Sequence, residues 1–203
     1  MNKHIYLLIT LFTLLGLRAQ GQCPTSVQFF SSQDSINGFP TNYPNCHTID
    51  SLIIEGNDIT SLAPLSQITS VTGNVHIQNC DQLPNLNGLH NIQSIEKELL
   101  LFENDLITNL DGLNNLQNIT GSLNIVVNKQ LTSLTGLSNL TNVGHILSIV
   151  DNDNLISLAG LEGVQNIEYG LIIGGNNQIT NLSGLDNISG IQNGPLIIAE
   201  NYN

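Results

Sequence analysis

The chain has 203 residues, of which 40% are hydrophobic, 4% aromatic and only 10% charged. Sixteen acidic residues against four basic ones give a net charge of −12 at pH 7. Two of the basic residues, Lys3 and Arg18, precede residue 22, so 16 acidic residues face only 2 basic ones in the remainder. With no basic patch to neutralise phosphates, nucleic acids and anionic membrane surfaces are excluded as partners.

Residues 1–21 predict a secretory signal peptide. Lys3 supplies a basic start, an apolar run extends from Ile5 to Leu17, and a small-x-small sequence then predicts cleavage before Gln22. The run of about 13 residues is shorter than the roughly 20 that span a bilayer. Cys23 raises a lipoprotein alternative, which the preceding Gln22 disfavours. We expect a secreted or extracellular surface protein without a transmembrane segment.

Residues 22–47 differ from the rest of the chain and predict an N-terminal cap. A Ser-Ser-Gln-Asp sequence predicts the start of a short helix that carries Ile36 and Phe39. Cys23 and Cys46 bracket the segment. In an exported protein this arrangement favours a disulfide, which would close a loop worth about 3 kcal/mol. Two free thiols are the alternative.

A 24-residue repeat extends from residue 48 to residue 203. Its pattern reads G-L-x-x-[LI]-x-x-[IV]-x-G-x-L-x-I-x-x-N-x-x-L-x-x-L. A fixed period of this length indicates stacked coils, none of which buries its apolar face alone. The sequence predicts about six to seven such repeats. The Gly-Leu step occurs at Gly88-Leu89, Gly112-Leu113, Gly136-Leu137, Gly160-Leu161 and Gly184-Leu185.

The L-x-I step of each repeat predicts a short β-strand. Alternation with period two over such a run is typical of a strand with one buried face. About seven strands at about 4.8 Å spacing would stack into a mainly β solenoid. The inward pairs are Val75/Ile77, Leu99/Leu101, Leu123/Ile125, Leu147/Ile149 and Leu171/Ile173, with Leu52/Ile54 and Leu196/Ile198 added at the ends after one-residue slips in phase.

Asparagine recurs at the corner that follows each predicted strand. A buried amide at a fixed corner can bond the backbone groups that the corner leaves unpaired. The column comprises Asn57, Asn104, Asn128, Asn152, Asn176 and Asn201. Cys80 takes the same position in one coil, which predicts a buried and inert thiol.

The repeat resembles the receptor L-domain family, a branch of the leucine-rich-repeat superfamily. The similarity is carried by Ile119–Leu140, I-T-G-S-L-N-I-V-V-N-K-Q-L-T-S-L-T-G-L-S-N-L, and its copies over residues 48–203. Secreted bacterial surface proteins of this type often begin with segments similar to Cys23-Pro24, Gln33-Asp34, Phe39-Pro40 and Asn45-Cys46. The resemblance implies a right-handed parallel β-solenoid whose L-x-I sheet faces ligands. Lys97 and Tyr169 depart from the pattern by replacing the mid-repeat glycine.

The outward positions of the predicted strands form the candidate ligand face. If the strands pair in register, apolar side chains there form one contiguous patch, and large patches of this kind mark interaction sites. The alternative is that strands favour β-branched residues on either face. The candidate residues are Leu100, Phe102, Val126, Val150 and Ile172.

The sequence shows no catalytic constellation, cofactor motif or metal-ligand spacing. Its histidines occupy different positions of the repeat, and no Gly-rich phosphate loop is present. Glu103, Asp151 and Glu200 share the position after the strand, and the Asp-Asn-Asp-Asn sequence from Asp151 is locally calcium-like. Solvated turn carboxylates are the favoured interpretation. We therefore expect no enzymatic activity, although parallel β-helices do include enzymes that cleave polysaccharides.

Three functions remain open after these observations. The favoured one is an exported adhesion or binding module that presents its sheet face to a protein or a glycan. A passive spacer of a larger surface protein and a polysaccharide-active enzyme are the alternatives. Because the chain stops at Asn203 directly after a strand, we also expect further sequence or a partner chain to cover the last coil.

Overall fold

The computed structural model of the protein describes residues 22–201, so the predicted signal peptide at residues 1–21 lies outside the described residues. Over residues 22–201 the fold is mainly β, with an eight-stranded sheet, a five-stranded sheet and one α-helix, Gln33–Asn42 (α1). Neighbouring strands pair in parallel throughout both sheets. The structure thus confirms a mainly β, parallel and solenoid-like architecture.

The long sheet contains one strand from each coil, where a coil is the segment from one strand of this sheet to the next. Its strands, in spatial order, are Gln28–Phe30 (β1), Leu52–Glu55 (β3), Val75–Gln78 (β5), Leu99–Phe102 (β7), Leu123–Val126 (β9), Ile146–Val150 (β11), Gly170–Gly174 (β12) and Leu196–Ala199 (β13). Leu99 pairs with Leu123, whereas Leu52 pairs with Val75 and Leu171 with Leu196. The one-residue departures from the 24-residue spacing that the sequence predicts at both ends are therefore present in the strand register.

A second sheet consists of two-residue strands, each separated by two or three residues from the strand of the long sheet that follows it. Its strands are Thr48–Ile49 (β2), Ser70–Val71 (β4), Ser94–Ile95 (β6), Asn118–Ile119 (β8) and Asn142–Val143 (β10). Single bridges extend the row from Val143 to Ile167 and from Ile167 to Ile191. Between these rows, 3-10 turns form at Ala63–Leu65, Asp111–Leu113 and Thr135–Leu137.

The hydrophobic core fills the interior of the coils. The side chains of Leu99 and Leu123 are fully buried, as are those of Leu113 and Ile119 on other sides of their coils. Parallel pairing brings each inward side chain against its equivalents in the adjacent coils, which gives each inner coil an apolar neighbour on both sides. A single coil would expose most of this surface, so each coil needs its neighbours to fold.

The N-terminal segment closes the core at its first coil. Ser32 caps α1 by accepting a hydrogen bond from the Ser35 N–H (3.3 Å), and the helix buries Ile36 and Phe39. The Gln33 side-chain oxygen accepts hydrogen bonds from backbone N–H groups of the first coil. Cys23 and Cys46 form a disulfide with 4.9 Å between their Cα atoms, as the sequence predicts. Strand β1, which the sequence analysis missed, pairs with β3.

The corner before each strand keeps its hydrogen bonds where the mid-repeat glycine is replaced. The Lys97 N–H donates to the Gly73 carbonyl (3.2 Å), and the Tyr169 N–H donates to the His145 carbonyl (3.0 Å). His145 is itself a third replacement, and its ring lies 4.7 Å from that of Tyr169, centroid to centroid. The larger side chains point outward at this corner, so the backbone geometry tolerates them.

Candidate binding surface

The outward face of the long sheet holds the residues that the sequence assigns to ligand binding. Phe102 pairs with Val126 and Val126 pairs with Val150, so these three side chains form one row across β7, β9 and β11. Leu100 stands beside Phe102 on the same strand. All four side chains are partly exposed, whereas their inward neighbours are buried. We call Leu100, Phe102, Val126 and Val150 the apolar row.

The fifth predicted residue, Ile172, is set apart from the apolar row. The register places Asn124 and Ser148 between Leu100 and Ile172, and it pairs Val150 with Gly174. Ile172 therefore lies diagonal to Val150 rather than beside it. The prediction that all five residues form one contiguous patch stays a prediction for Ile172, because a diagonal neighbour is within reach only of a long side chain.

A polar cluster that the sequence analysis missed flanks the apolar row. Glu98 precedes Leu99, so the alternation of the strand puts its side chain on the same face as Leu100. Its carboxylate oxygens bond His76 Nε2 (3.0 Å) and the side-chain amide of Asn124. The only sequence signal for this cluster is that the three residues come from adjacent coils on outward positions. It offers a fixed hydrogen-bonding edge next to an apolar surface.

A second set of carboxylates lies beyond Phe102, where the strands end. Gln78 and Asn79 donate to the two oxygens of Glu55 (2.9 and 3.1 Å), and an open groove of about 630 Å³ follows. Lys129 donates to Asp105 (2.9 Å), and this hydrogen bond raises the pKa of Lys129 above its ordinary value. The groove is lined by Glu55, Asp81, Glu103, Asp105 and Lys129, among others.

The carboxylates that the sequence singled out belong to separate parts of the stack. Glu103, Asp151 and Glu200 each adopt positive φ (51°, 55° and 56°) at the corner after their strands. Asp153, in the calcium-like sequence, accepts a hydrogen bond from Asn177 of the next coil (2.8 Å). Across residues 22–201 no group of three or more His, Cys, Asp or Glu side chains could hold a metal ion.

Five of the six predicted asparagines form a buried hydrogen-bond ladder. Asn128 Oδ1 accepts from the Asn104 N–H (3.3 Å), while its Nδ2 donates to the Leu101 carbonyl (3.0 Å). The same two contacts repeat from coil to coil. The side chains are 0–1% exposed in the four inner members. The ladder comprises Asn104, Asn128, Asn152, Asn176 and Asn201.

The prediction for Asn57 is wrong, since its side chain is exposed. In the ladder, the residue before each member adopts positive φ, for example Asn79 at 53° and Glu103 at 51°, which turns the next side chain inward. Gly56 precedes Asn57 without positive φ, and it packs against the Ser31 backbone of the cap. The contact with the cap therefore redirects the first corner.

Cys80 occupies the ladder position at the second coil and is a fully buried free thiol. Its N–H donates to Asn104 Oδ1 (3.2 Å), and its Sγ lies 3.3 Å from the Gln78 carbonyl oxygen. Burial raises the pKa of the Cys80 thiol to about 11 from an ordinary value of 9.0. Burial keeps reagents away from the Cys80 thiol, and the raised pKa keeps it protonated at neutral pH. Because the thiolate is the nucleophile, Cys80 is unreactive.

We expect Cys80 to make folding stability fall with rising pH. The unfolded chain ionises this thiol at a lower pH than the folded chain, so its stabilising effect is complete below about pH 9 and is lost by about pH 11. Urea denaturation between pH 8 and 11 should show a steeper fall for the wild type than for Cys80→Ala. Parallel pH profiles for the two proteins would contradict this assignment.

No helix within residues 22–201 has the length and apolar character needed to cross a membrane. Comparison of the chain with known protein-family models, with curated proteins and with solved structures gives no match.

Proposed function

We propose that the protein is an exported binding module that captures a protein or glycan ligand on the outward face of its long sheet. In this proposal the fold is a right-handed parallel β-solenoid with 24-residue coils, similar to the receptor L-domain branch of the leucine-rich-repeat superfamily. The observation that carries the proposal is the apolar row on a chain that is otherwise rich in surface Asn and acidic residues. The alternative is a passive spacer of a larger surface protein.

The apolar row has the composition of an interface centre. Its side chains are apolar and partly exposed, and hydrogen-bonding groups border it at Glu98 and at Glu55. Binding energy in protein interfaces concentrates in apolar and aromatic anchors surrounded by a polar rim. Phe102 is the aromatic side chain of the row. This arrangement favours a protein ligand over a glycan.

Export is supported by the cysteine chemistry. The disulfide between Cys23 and Cys46 indicates an oxidising compartment, because cytosolic thiols are kept reduced. The signal-peptide pattern of residues 1–21 points to the same location. Two of the cysteines are joined in this disulfide and the third, Cys80, is buried. No thiol of the described residues is therefore exposed to oxidation, which suits an extracellular environment.

The double variant Phe102→Asp with Val126→Asp should lose ligand capture. The two side chains pair directly across β7 and β9, so two carboxylates would replace the centre of the apolar row. The probe is an array of purified extracellular proteins and defined oligosaccharides, and we expect bound signals to fall at least 30-fold, the size of a typical hot-spot loss. Both side chains point away from the core, so the thermal unfolding temperature should change little.

Ile156→Asp is the matched control, because Ile156 is 63% exposed and lies outside the strands of the long sheet. It should retain full capture. Capture that survives in the double variant would remove this face as the binding site. A wild-type protein that binds no member of the array would favour the spacer function instead.

A further inference from the structure

The corner after β9 holds Val127 in a backbone conformation that its side chain disfavours. Its φ is 56°, in the left-handed region. A residue branched at Cβ is rarely found there, because Cβ crowds the carbonyl oxygen that follows it. The equivalent corners of other coils carry asparagine, glutamate, aspartate or glycine, namely Asn79, Glu103, Asp151, Gly175 and Glu200. Val127 is therefore the most strained member of this column.

The surrounding structure fixes this conformation whichever residue stands at position 127. The Val127 N–H donates to the Val150 carbonyl (3.0 Å), which continues the pairing of β9 with β11 by one residue. Asn128, the next residue, is 1% exposed and belongs to the asparagine ladder. The chain must therefore turn at position 127, and asparagine or glycine would make this turn with less strain.

Packing inside the protein does not account for a valine at this corner. Among the residues that the structure describes, Val127 belongs neither to the buried core nor to the partly buried hydrophobic side chains packed against it. It is itself partly exposed and directly follows Val126 of the apolar row. Backbone strain that no interior contact offsets is typical of ligand-binding positions. What valine adds over asparagine is exposed apolar surface at the end of the apolar row.

Carboxylates on both sides of Val127 define the charge that a ligand needs at this corner. Glu103 and Asp151 hold the equivalent positions in the adjacent coils, and both side chains are exposed. The ion pairs within residues 22–201 involve Glu98 and Asp105 instead. A ligand that covers Val127 therefore takes water away from two carboxylates that have no cation of their own, which is costly unless the ligand supplies cations.

On the basis of the binding function set out above, we propose that the apolar row continues at Val127 and that this surface binds a protein segment in which lysine or arginine flanks an apolar side chain. Phe102, Val126 and Val127 receive the apolar side chain of the partner. Glu103 and Asp151 pair with its cations at the rim, where charges add specificity and speed of association. The strain at Val127 is retained because it serves binding rather than stability.

Val127→Asn should stabilise the protein and weaken binding at the same time. Relief of the strain should raise the unfolding temperature by about 3 °C, and loss of the apolar contact should lower the affinity by about 10-fold or more. Val127→Thr keeps the branch at Cβ, so it should weaken binding while the unfolding temperature stays within about 1 °C of the wild type. Ile156→Asn, at an exposed apolar residue outside the long sheet, is the matched control and should leave the affinity unchanged.

The probe is a phage-displayed library of random peptides of about 12 residues, which reach roughly 40 Å when extended. Peptides that bind the wild type but not the double variant Phe102→Asp with Val126→Asp should carry lysine or arginine beside an apolar residue. Titration calorimetry with synthetic copies of these peptides gives the affinity of each variant. Raising NaCl from about 0.05 M to about 0.5 M should weaken binding by about fivefold or more, because salt screens the ion pairs at the rim.

The possible results separate the partner's chemistry from the binding function itself. Selected peptides without lysine or arginine, or affinities that salt leaves unchanged, would overturn the proposed partner and leave the binding face in place. A Val127→Asn protein that binds as tightly as the wild type, or that unfolds at a lower temperature, would overturn the role of Val127. If no selected peptide depended on Phe102 and Val126, the binding function would fall together with the inference that rests on it.

Discussion

Asn128→Ala should lower the free energy of unfolding by about 3 kcal/mol. The substitution removes the acceptor of the Asn104 N–H and the donor to the Leu101 carbonyl, both in a fully buried part of the ladder. A buried donor left without a partner costs about 1 to 3 kcal/mol, and the lost bond to the carbonyl adds about 1. The expected fall in the unfolding temperature is roughly 10 °C, measured by calorimetry or circular dichroism.

Asn57→Ala supplies the control, because register places Asn57 in the same column but its side chain is exposed. This change should stay within about 0.5 kcal/mol of the wild type, as surface substitutions usually do. If the two alanine variants had the same free energy of unfolding, the buried hydrogen bonds of Asn128 would contribute nothing to stability. That result would remove the ladder as a determinant of the stack.

Gly136→Ala is expected to destabilise the protein by about 3 kcal/mol through a steric conflict. A Cβ atom built on Gly136 lies 1.9 Å from the carbonyl oxygen of Leu110 in the preceding coil, and 2.1 Å from its carbonyl carbon. The obstacle is backbone rather than a flexible side chain, so the two coils must separate. Overpacking of this kind costs up to about 3 kcal/mol and sometimes more.

Gly190→Ala is the matched substitution at a site where the added Cβ would meet nothing within 4 Å. Its stability should equal that of the wild type or exceed it by about 0.4 to 1 kcal/mol, because alanine restricts the unfolded chain. Urea denaturation of both variants gives the comparison. A Gly136→Ala protein as stable as Gly190→Ala would show that the coils can move apart without loss.

Much of the architecture could be predicted from the repeat. The inward pairs of the L-x-I steps from Leu52 to Ile173 are buried as expected, whereas Leu196 and Ile198 of the last strand are exposed. The phase slips at Leu52 and Leu196 appear in the strand register. These features follow from side-chain periodicity, which depends on the chain itself. The disulfide between Cys23 and Cys46 was predictable for a different reason, since two cysteines bracket a segment outside the repeat.

The remaining features depend on contacts between distant parts of the chain. Strand β1 has no L-x-I step, and it forms because β3 offers a free edge. Asn57 fits the repeat but is exposed because the cap redirects the corner at Gly56. The position of Ile172 away from the apolar row depends on which residues face it in the adjacent strand. No periodicity within one coil contains that information.

The asparagine ladder has a direction, and this direction decides which coil completes which. In each step the N–H of one coil donates to a side chain supplied by the coil that follows it, as Asn104 does to Asn128 and Asn128 to Asn152. Loss of any one asparagine therefore leaves a buried N–H of the preceding coil without its acceptor, at a cost of about 1 to 3 kcal/mol. The stack is thus polarised, because the corner of each coil is completed from its C-terminal side.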